Sequence, residues 1–191
     1  MNEAQKIYDE TYRDRYLAQS QTPLGKAIYY SRWALILKYL QGGTVLDYGC
    51  GPGAFNSCGP ESFKRFNYDI NPTCGFTERV WTGANKWPIT ALTMWDSIEH
   101  VPNFYGEIKE INADWLFIST PNLESVIEPV MFFRHYRPKE HIYYFDRHSL
   151  GVILEDLGYE IKEMNFDEGK LRNPNRPDAI LTVVAKRRQG M

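Results

Sequence analysis

Gly49, Gly51 and Gly53 follow the short apolar run Thr44-Val45-Leu46-Asp47-Tyr48, so a strand runs straight into a glycine loop. Glycine lets the backbone turn sharply and approach a ligand without interference from a Cβ, leaving N–H groups near the carboxyl ends of the strands. Such a loop suits a mononucleotide-like cofactor. Gly49, Gly51 and Ala54 also satisfy the dinucleotide pattern G-x-G-x-x-G/A, and an ordinary strand-to-helix turn would use the same residues. The flanking carboxylates favour the cofactor. Asp47 lies two positions before the first glycine, where its charge suits a cationic ligand group and not a pyrophosphate. Asp69 follows Asp47 by 22 positions at a strand end, placed to accept hydrogen bonds from both ribose hydroxyls, with Ile70 beside it to pack on the adenine face.

The elements that must position these residues alternate along the chain. Residues 3–18 carry Ile7, Tyr8, Tyr12, Tyr16 and Leu17 at helical spacing, and a second helix is expected from Gly25 to Leu40. Strands are expected over Phe66–Ile70, Ile89–Trp95 and Trp115–Ser119, with a helix over Phe104–Ile111 before the last of them. Gly59-Pro60 leaves an unusually short crossover between the first two strands. Residues 121–146, aromatic, Pro-containing and basic, resemble neither a core strand nor a regular helix and read as a substrate lid. A helix over Ser149–Leu157 then leads to a strand pair, Tyr159–Phe166 and Ala179–Lys186, antiparallel across a polar loop. Strands alternating with helices predict an α/β fold with a mostly parallel sheet.

At 191 residues the chain fits one domain, and 43% hydrophobic with 24% charged residues is an ordinary globular composition. Lys+Arg 22 against Asp+Glu 24 gives a net charge of −2, so no global positive field recruits nucleic acid. The three cysteines, Cys50, Cys58 and Cys74, are odd in number and irregularly spaced. They suit reduced thiols of a cytoplasmic protein and exclude a Cys-rich zinc site. No apolar run approaches the roughly 18–20 residues of a membrane span, and Met1–Lys6 has no signal-like apolar core, so no membrane association is expected.

The chain resembles the class I S-adenosylmethionine-dependent methyltransferases. Val45–Gly53 is similar to their first motif and Tyr68-Asp69-Ile70-Asn71-Pro72 to their second. Leu92–Val101 is similar to their fourth-strand motif and Leu116–Asn122 to their fifth strand. Glu140–Phe145, Ser149-Leu150 and Leu157-Gly158-Tyr159 resemble the C-terminal part of the subgroup with ubiquinone-type O-methyltransferases. The resemblance implies a Rossmann-like three-layer sandwich whose sheet has seven strands and ends in an antiparallel pair. It also implies S-adenosylmethionine as cofactor. Asp47 and the glycines would hold its methionine portion and Asp69 its ribose; Trp95 would lie near the sulfonium. The family's acidic residue near adenine has no counterpart in Thr82–Pro88, where Asn85 could substitute.

Methyl transfer from a sulfonium is an in-line displacement, so the protein chiefly aligns the acceptor and removes its proton. His100, beyond the fourth strand, could be the base, although a loop histidine with a hydrogen bond would look the same. Alternatively Asp96, Glu99, His100 and the distant His141 converge on one divalent cation, Mg²⁺ or Mn²⁺. That set resembles the acid-x-x-Glu-His plus later His arrangement of metal-dependent ubiquinone O-methyltransferases and small-RNA 3′-terminal 2′-O-methyltransferases, with Asp96 replacing the usual Glu. Asp96 could instead contact cofactor, with Glu99 structural and His141 packing the lid. Tyr8, Tyr12 and Tyr16 could cover the cofactor as part of residues 1–42, or simply pack. Arg134, Arg137 and Lys139 could receive an anionic or ribose-phosphate acceptor. The expectation is a single-domain O-methyltransferase with a small polar or aromatic methyl acceptor, the oligomeric state being left open. Two alternatives stand beside it, a metal-dependent RNA 3′-end 2′-O-methyltransferase and a nucleotide-binding module without catalysis.

Overall fold

A computed structural model describes residues 10–70, 88–126 and 129–188, with the side chains of Glu10, Tyr12 and Arg13 excepted. The expectations for Tyr8, Cys74 and Asn85 lie outside the described residues. In chain order the elements begin with helices α1 (Glu10–Gln21) and α2 (Pro23–Tyr39), followed by β1 (Gly43–Tyr48), the single turn α3 (Ala54–Ser57) and β2 (Phe63–Tyr68). Then come β3 (Ala91–Trp95), α4 (Phe104–Ile111), β4 (Trp115–Pro121), α5 (Arg147–Asp156), β5 (Tyr159–Asn165), α6 (Asp167–Arg172) and β6 (Ile180–Arg187).

The described strands form one six-stranded sheet in the order β2-β1-β3-β4-β6-β5. Strands β2, β1, β3 and β4 are parallel, while β6 runs antiparallel to both β4 and β5. The fold is therefore α/β and Rossmann-like, with the expected antiparallel C-terminal pair and six strands among the described residues instead of seven.

The central strands are continuous apolar runs because both their faces are covered. All five residues of β3 are buried. On one face Leu46, Leu92 and Leu116 pack with Ile108 of α4 and Leu150 and Leu154 of α5. On the other, Val45, Phe117 and Val184 pack with Trp33 and Ile36 of α2. Helix α2 starts where Thr22 accepts the Gly25 N–H at 3.0 Å and Pro23 takes the first position, which needs no donor. The crossover between β1 and β2 is as short as Gly59-Pro60 implies. Its one-turn helix presents Phe55, on which the Trp33 ring stacks at 4.8 Å.

The glycine loop takes left-handed backbone angles at Gly49 (φ 78°), Gly51 (φ 51°) and Gly53 (φ 69°). A Cβ at Gly49 would lie 2.4 Å from the Ser97 Cβ, whereas one at Gly51 would meet nothing within 4 Å. Gly49→Ala is accordingly expected to cost well over 2 kcal/mol, and Gly51→Ala about 1–2 kcal/mol from backbone strain alone. Urea unfolding of the two variants measures the difference, and equal losses would contradict the packing argument.

Candidate functional site

The carboxyl ends of β1 and β3, the glycine loop and the segment Phe133–Ile142 line one cavity of about 1340 Å³. Gly49 and Cys50 donate their N–H groups to the Tyr68 carbonyl at 2.8 and 3.1 Å, tying the loop to the end of β2. The Gly51 N–H donates to Asp69 Oδ2 at 2.8 Å, which fixes that carboxylate beside the loop. Ile70, the next residue, is 55% exposed. Asp47 is buried at the floor, where Thr93 Oγ1 donates to its Oδ1 at 2.7 Å. Burial pushes the Asp47 carboxyl up to about 7, outweighing the Thr93 hydrogen bond and the nearby Arg32 charge. A cationic ligand group placed beside Asp47 would relieve that penalty.

A second cluster stands across β3 and β4. The turn Ile98–His100 buries Glu99, whose Oε2 accepts a hydrogen bond from Thr120 Oγ1 at 3.1 Å. The Glu99 carbonyl accepts the N–H groups of Ile142 and Tyr143 at 2.8 and 3.2 Å. That clasp brings His141 beside the turn, with the His100 and His141 rings edge-to-face at 4.7 Å. Donor atoms of Glu99, His100 and His141 lie within 4.8 Å of one another. The Glu140 carbonyl, 2.8 Å from His100 Nδ1, can only accept, so Nδ1 carries the proton and Nε2 is the basic nitrogen. Nε2 stands 4.0 Å from Glu99 Oε1, too far for a hydrogen bond. Burial, with Asp96 adding to it, pushes Glu99 up to about 8. Burial also lowers His100, and holds His141 at about 4 with help from the neighbouring His100 and His135. The histidines are therefore neutral at pH 7, the state in which imidazole accepts a proton or binds a metal.

Asp96 does not join this trio. It takes φ 51° at the end of β3, a conformation aspartate tolerates better than most residues, and its carboxylate meets Arg32 at 3.0 Å and Arg172. Burial alone would raise the carboxyl, but the Arg172 and Arg32 charges hold it at about 2. The fourth metal donor expected at Asp96 is thus engaged by two guanidinium groups instead. Arg32 also grips Glu168 through two parallel bonds, Nε to Oε2 at 2.9 Å and Nη2 to Oε1 at 2.7 Å. Its guanidinium lies 4.8 Å from the Trp95 ring centroid, and Phe55 meets that indole edge-on at 5.6 Å. Trp95 Nε1 and His141 Nδ1 are buried without a hydrogen-bond partner among the described residues, and both residues line the cavity.

The structure thus brings Asp47, Gly49, Gly51, Asp69, Ile70, Trp95, Glu99, His100 and His141 to one cavity. Gly53 caps α3. Sequence reading missed Arg32, Glu168 and Arg172. Helix α6, which supplies the last two, lies in the polar loop expected between the C-terminal strands. Its signal is acidic residues in the first turn with basic ones in the last, weak over six residues. For Arg32 the signal is one charge inside the apolar stretch Ile28–Ile36.

The model of the methyltransferase domain family matches residues 17–163. No curated protein matches the chain. Among solved structures, a SAM dependent methyltransferase from Archaeoglobus fulgidus is 16% identical, superposes with a TM-score of 0.67 and aligns over 94% of this chain and all of its own. Magnesium protoporphyrin IX methyltransferase from Synechocystis PCC 6803, with bound SAH, is 15% identical at TM-score 0.62, covering 97% of this chain and 98% of its own. The small RNA methyltransferase HEN1 is 16% identical at TM-score 0.59, covering 86% of this chain and 25% of its own. At these identities the likeness is one of fold.

Removing Arg32 leaves Asp96 and Glu168 with one guanidinium between them in a buried setting. Arg32→Ala is expected to cost roughly 3–5 kcal/mol, and Arg32→Lys, which keeps the charge but loses the fork, less. Urea midpoints test this; an Arg32→Ala loss below about 1 kcal/mol would show that Arg172 suffices.

Proposed function

The chain belongs to the methyltransferase domain family, and from that premise we propose that it transfers the methyl group of S-adenosylmethionine to an oxygen of a small polar or aromatic acceptor. The observation that carries this reading is that the glycine loop with its two aspartates and the Glu99–His100–His141 trio line the same cavity. The residues fit the cofactor: a Cβ at Gly51 would project into open space, Asp47 gains from a cation beside it, and Trp95 Nε1 has no partner among the described residues.

S-adenosylmethionine, when bound, supplies a methyl group already activated on a sulfonium. Asp47 and the glycine loop, which lacks side chains that would bar close approach, would hold the methionine portion, and Asp69 the ribose. His100, anchored through Nδ1 to the Glu140 carbonyl, takes the acceptor's hydroxyl proton at Nε2. Alternatively, with His100 Nε2 as a ligand instead of the base, Glu99, His100 and His141 would hold a divalent cation, which would lower the pKa of the acceptor hydroxyl. Arg15, Tyr16 and Gln19 of α1 and Phe133, Arg134 and His135 line the cavity, supporting a cover built from the N-terminal helices and the 121–146 segment. The subgroup reading, ubiquinone-type O-methylation, rests on the Glu140–Phe145 stretch that carries His141.

A second reading, 2′-O-methylation of an RNA 3′ end, is favoured by Arg134, Arg137 and Lys139, which line the same cavity. Salt-sensitive binding of a short single-stranded RNA, lost in the Arg134→Ala/Lys139→Ala double variant, would select it over the small acceptor.

Two predictions test the division of roles. Only the ionised Asp47 attracts an ammonium group, and with its carboxyl at about 7 the ionised fraction falls to about a tenth at pH 6. S-adenosylhomocysteine, titrated calorimetrically, is therefore expected to bind about tenfold more weakly at pH 6 than at pH 8. Asp47→Asn is expected to be weak and flat across that range; a flat wild-type profile would remove Asp47 from the ammonium site. Separately, Asp69→Ala is expected to weaken S-adenosylhomocysteine at least tenfold, while His100→Ala leaves that affinity within about twofold and lowers turnover by 10²-fold or more. Equal loss of affinity in both variants would defeat the assignment.

A further inference from the structure

Where α6 and the 121–146 segment form its wall, the cavity carries cations that its acids do not balance. Asp96 is held by Arg32 and Arg172, and Glu140 pairs with Arg137 at 3.2 Å. Arg134 and Lys139 line the cavity as well, yet they make no hydrogen bond or ion pair among the described residues. Arg172 is itself only partly engaged. Its Nη2 serves both Asp96 and Glu168, whereas Nε is buried without a partner among the described residues and Nη1 donates to none of them.

His135 marks where these cations meet. It lies on the trio's side of the cavity, its ring nearly parallel to that of His141 with centroids 6.4 Å apart, and it packs on the buried Phe133 at 5.3 Å. Burial lowers the His135 imidazole to about 4; Asp96 opposes this, but the charges of Arg134, Arg172 and Arg137 add to it. Arg134 and Arg172 therefore act on one part of the cavity from two different elements. A buried donor left unpaired is costly, and an oxyanion, which accepts several N–H groups at once, would offset that cost and the surplus charge together.

We propose that the methyl acceptor carries an anionic group, a carboxylate or a phosphate, which Arg172 and Arg134 receive beside the Glu99–His100–His141 trio. The proposal rests on this cavity being the acceptor site, as put forward above, and narrows the acceptor to a small anion. Lys139, on the same wall, adds to the attraction. The cations occupy one short stretch and one helix within a chain of net charge −2, which suits a single anionic group and not a run of phosphates.

Three probes of similar size test the subsite: 4-hydroxyphenylacetate, 4-hydroxyphenyl phosphate and the neutral 4-hydroxyphenylacetamide. Each is titrated calorimetrically into the full chain at pH 7.5, alone and with saturating S-adenosylhomocysteine. At least one anion is expected to bind about tenfold more tightly than the amide, and the tighter of the two names the group. Arg134→Gln, at an exposed position where folding is not at stake, is expected to reduce that preference to about threefold or less. Arg172→Lys, which keeps a charge for Asp96 and Glu168 but loses Nε and Nη1, should do the same; if it fails to fold, Arg134→Gln decides alone. Equal binding of anions and amide, no binding of any probe, or a full preference retained in Arg134→Gln would overturn the proposal. Binding of a single-stranded RNA that neither small anion displaces would overturn it in favour of the RNA reading. An anion preference without any binding of S-adenosylhomocysteine would uphold the anion subsite and remove the methyl-transfer reading instead.

Discussion

The site depends on the position of β1, which has a parallel neighbour on each side. The chain leaves β1 toward β2 on one side, and the next step of the sheet, β3, lies on the other. At such a reversal the connections part, and a crevice opens beyond the carboxyl ends of the strands. Asp47 sits near the end of β1, Asp96 follows β3 directly, and the glycine loop has no room to close the crevice because it is pulled back onto Tyr68. The cavity is thus a consequence of strand order, and the side chains around it determine what it accepts.

Two long-range clasps hold those side chains. The first is ionic. Arg32 and Arg172 face Asp96 and Glu168, joining α2, the end of β3 and α6, elements up to 136 positions apart in the chain. The charges balance within the cluster, which is the condition under which buried ions are tolerated. The second is a backbone clasp. The Glu99 carbonyl receives two N–H groups from the 121–146 segment, and the Glu140 carbonyl receives His100. Neither residue of the pair Glu99 and His141 could meet the other without it, since 42 positions separate them.

The two halves of the site differ in how they are made. The glycine-loop half is local: a strand, a glycine loop and the next strand end, all within 23 residues from Asp47 to Asp69. Its shape follows from left-handed glycine angles and the hydrogen bonds donated by the N–H groups of Gly49, Cys50, Gly51 and Gly53. The half around Glu99 is assembled from three remote segments and is buried enough to shift the ionisation of Glu99, His100 and His141. Glu99 is raised and His100 and His141 are lowered by the same loss of water. All three are driven toward their neutral forms, a cost that a bound cation or an acceptor proton would offset.

By itself the sequence determined what short-range chemistry determines. The α/β class, the short crossover at Gly59-Pro60, the helix over Phe104–Ile111, the antiparallel closing pair and the strand and glycine loop after Asp47 all follow from periodicity, glycine placement and apolar runs. It also indicated Glu99, His100 and His141 as companions. Only the tertiary structure decided the rest. Asp96 resembles its companions in type and spacing, yet it turns to Arg32 and Arg172 because a partly buried carboxylate is held by the nearest guanidinium groups, which lie 64 positions before and 76 positions after it. Helix α6 is too short to declare itself by periodicity and exists through its packing and ion pairs. His135 reads as one more residue of a basic loop until the fold sets its ring beside His141. Which charges pair, and which imidazoles share a space, depend on distances that a linear chain does not contain.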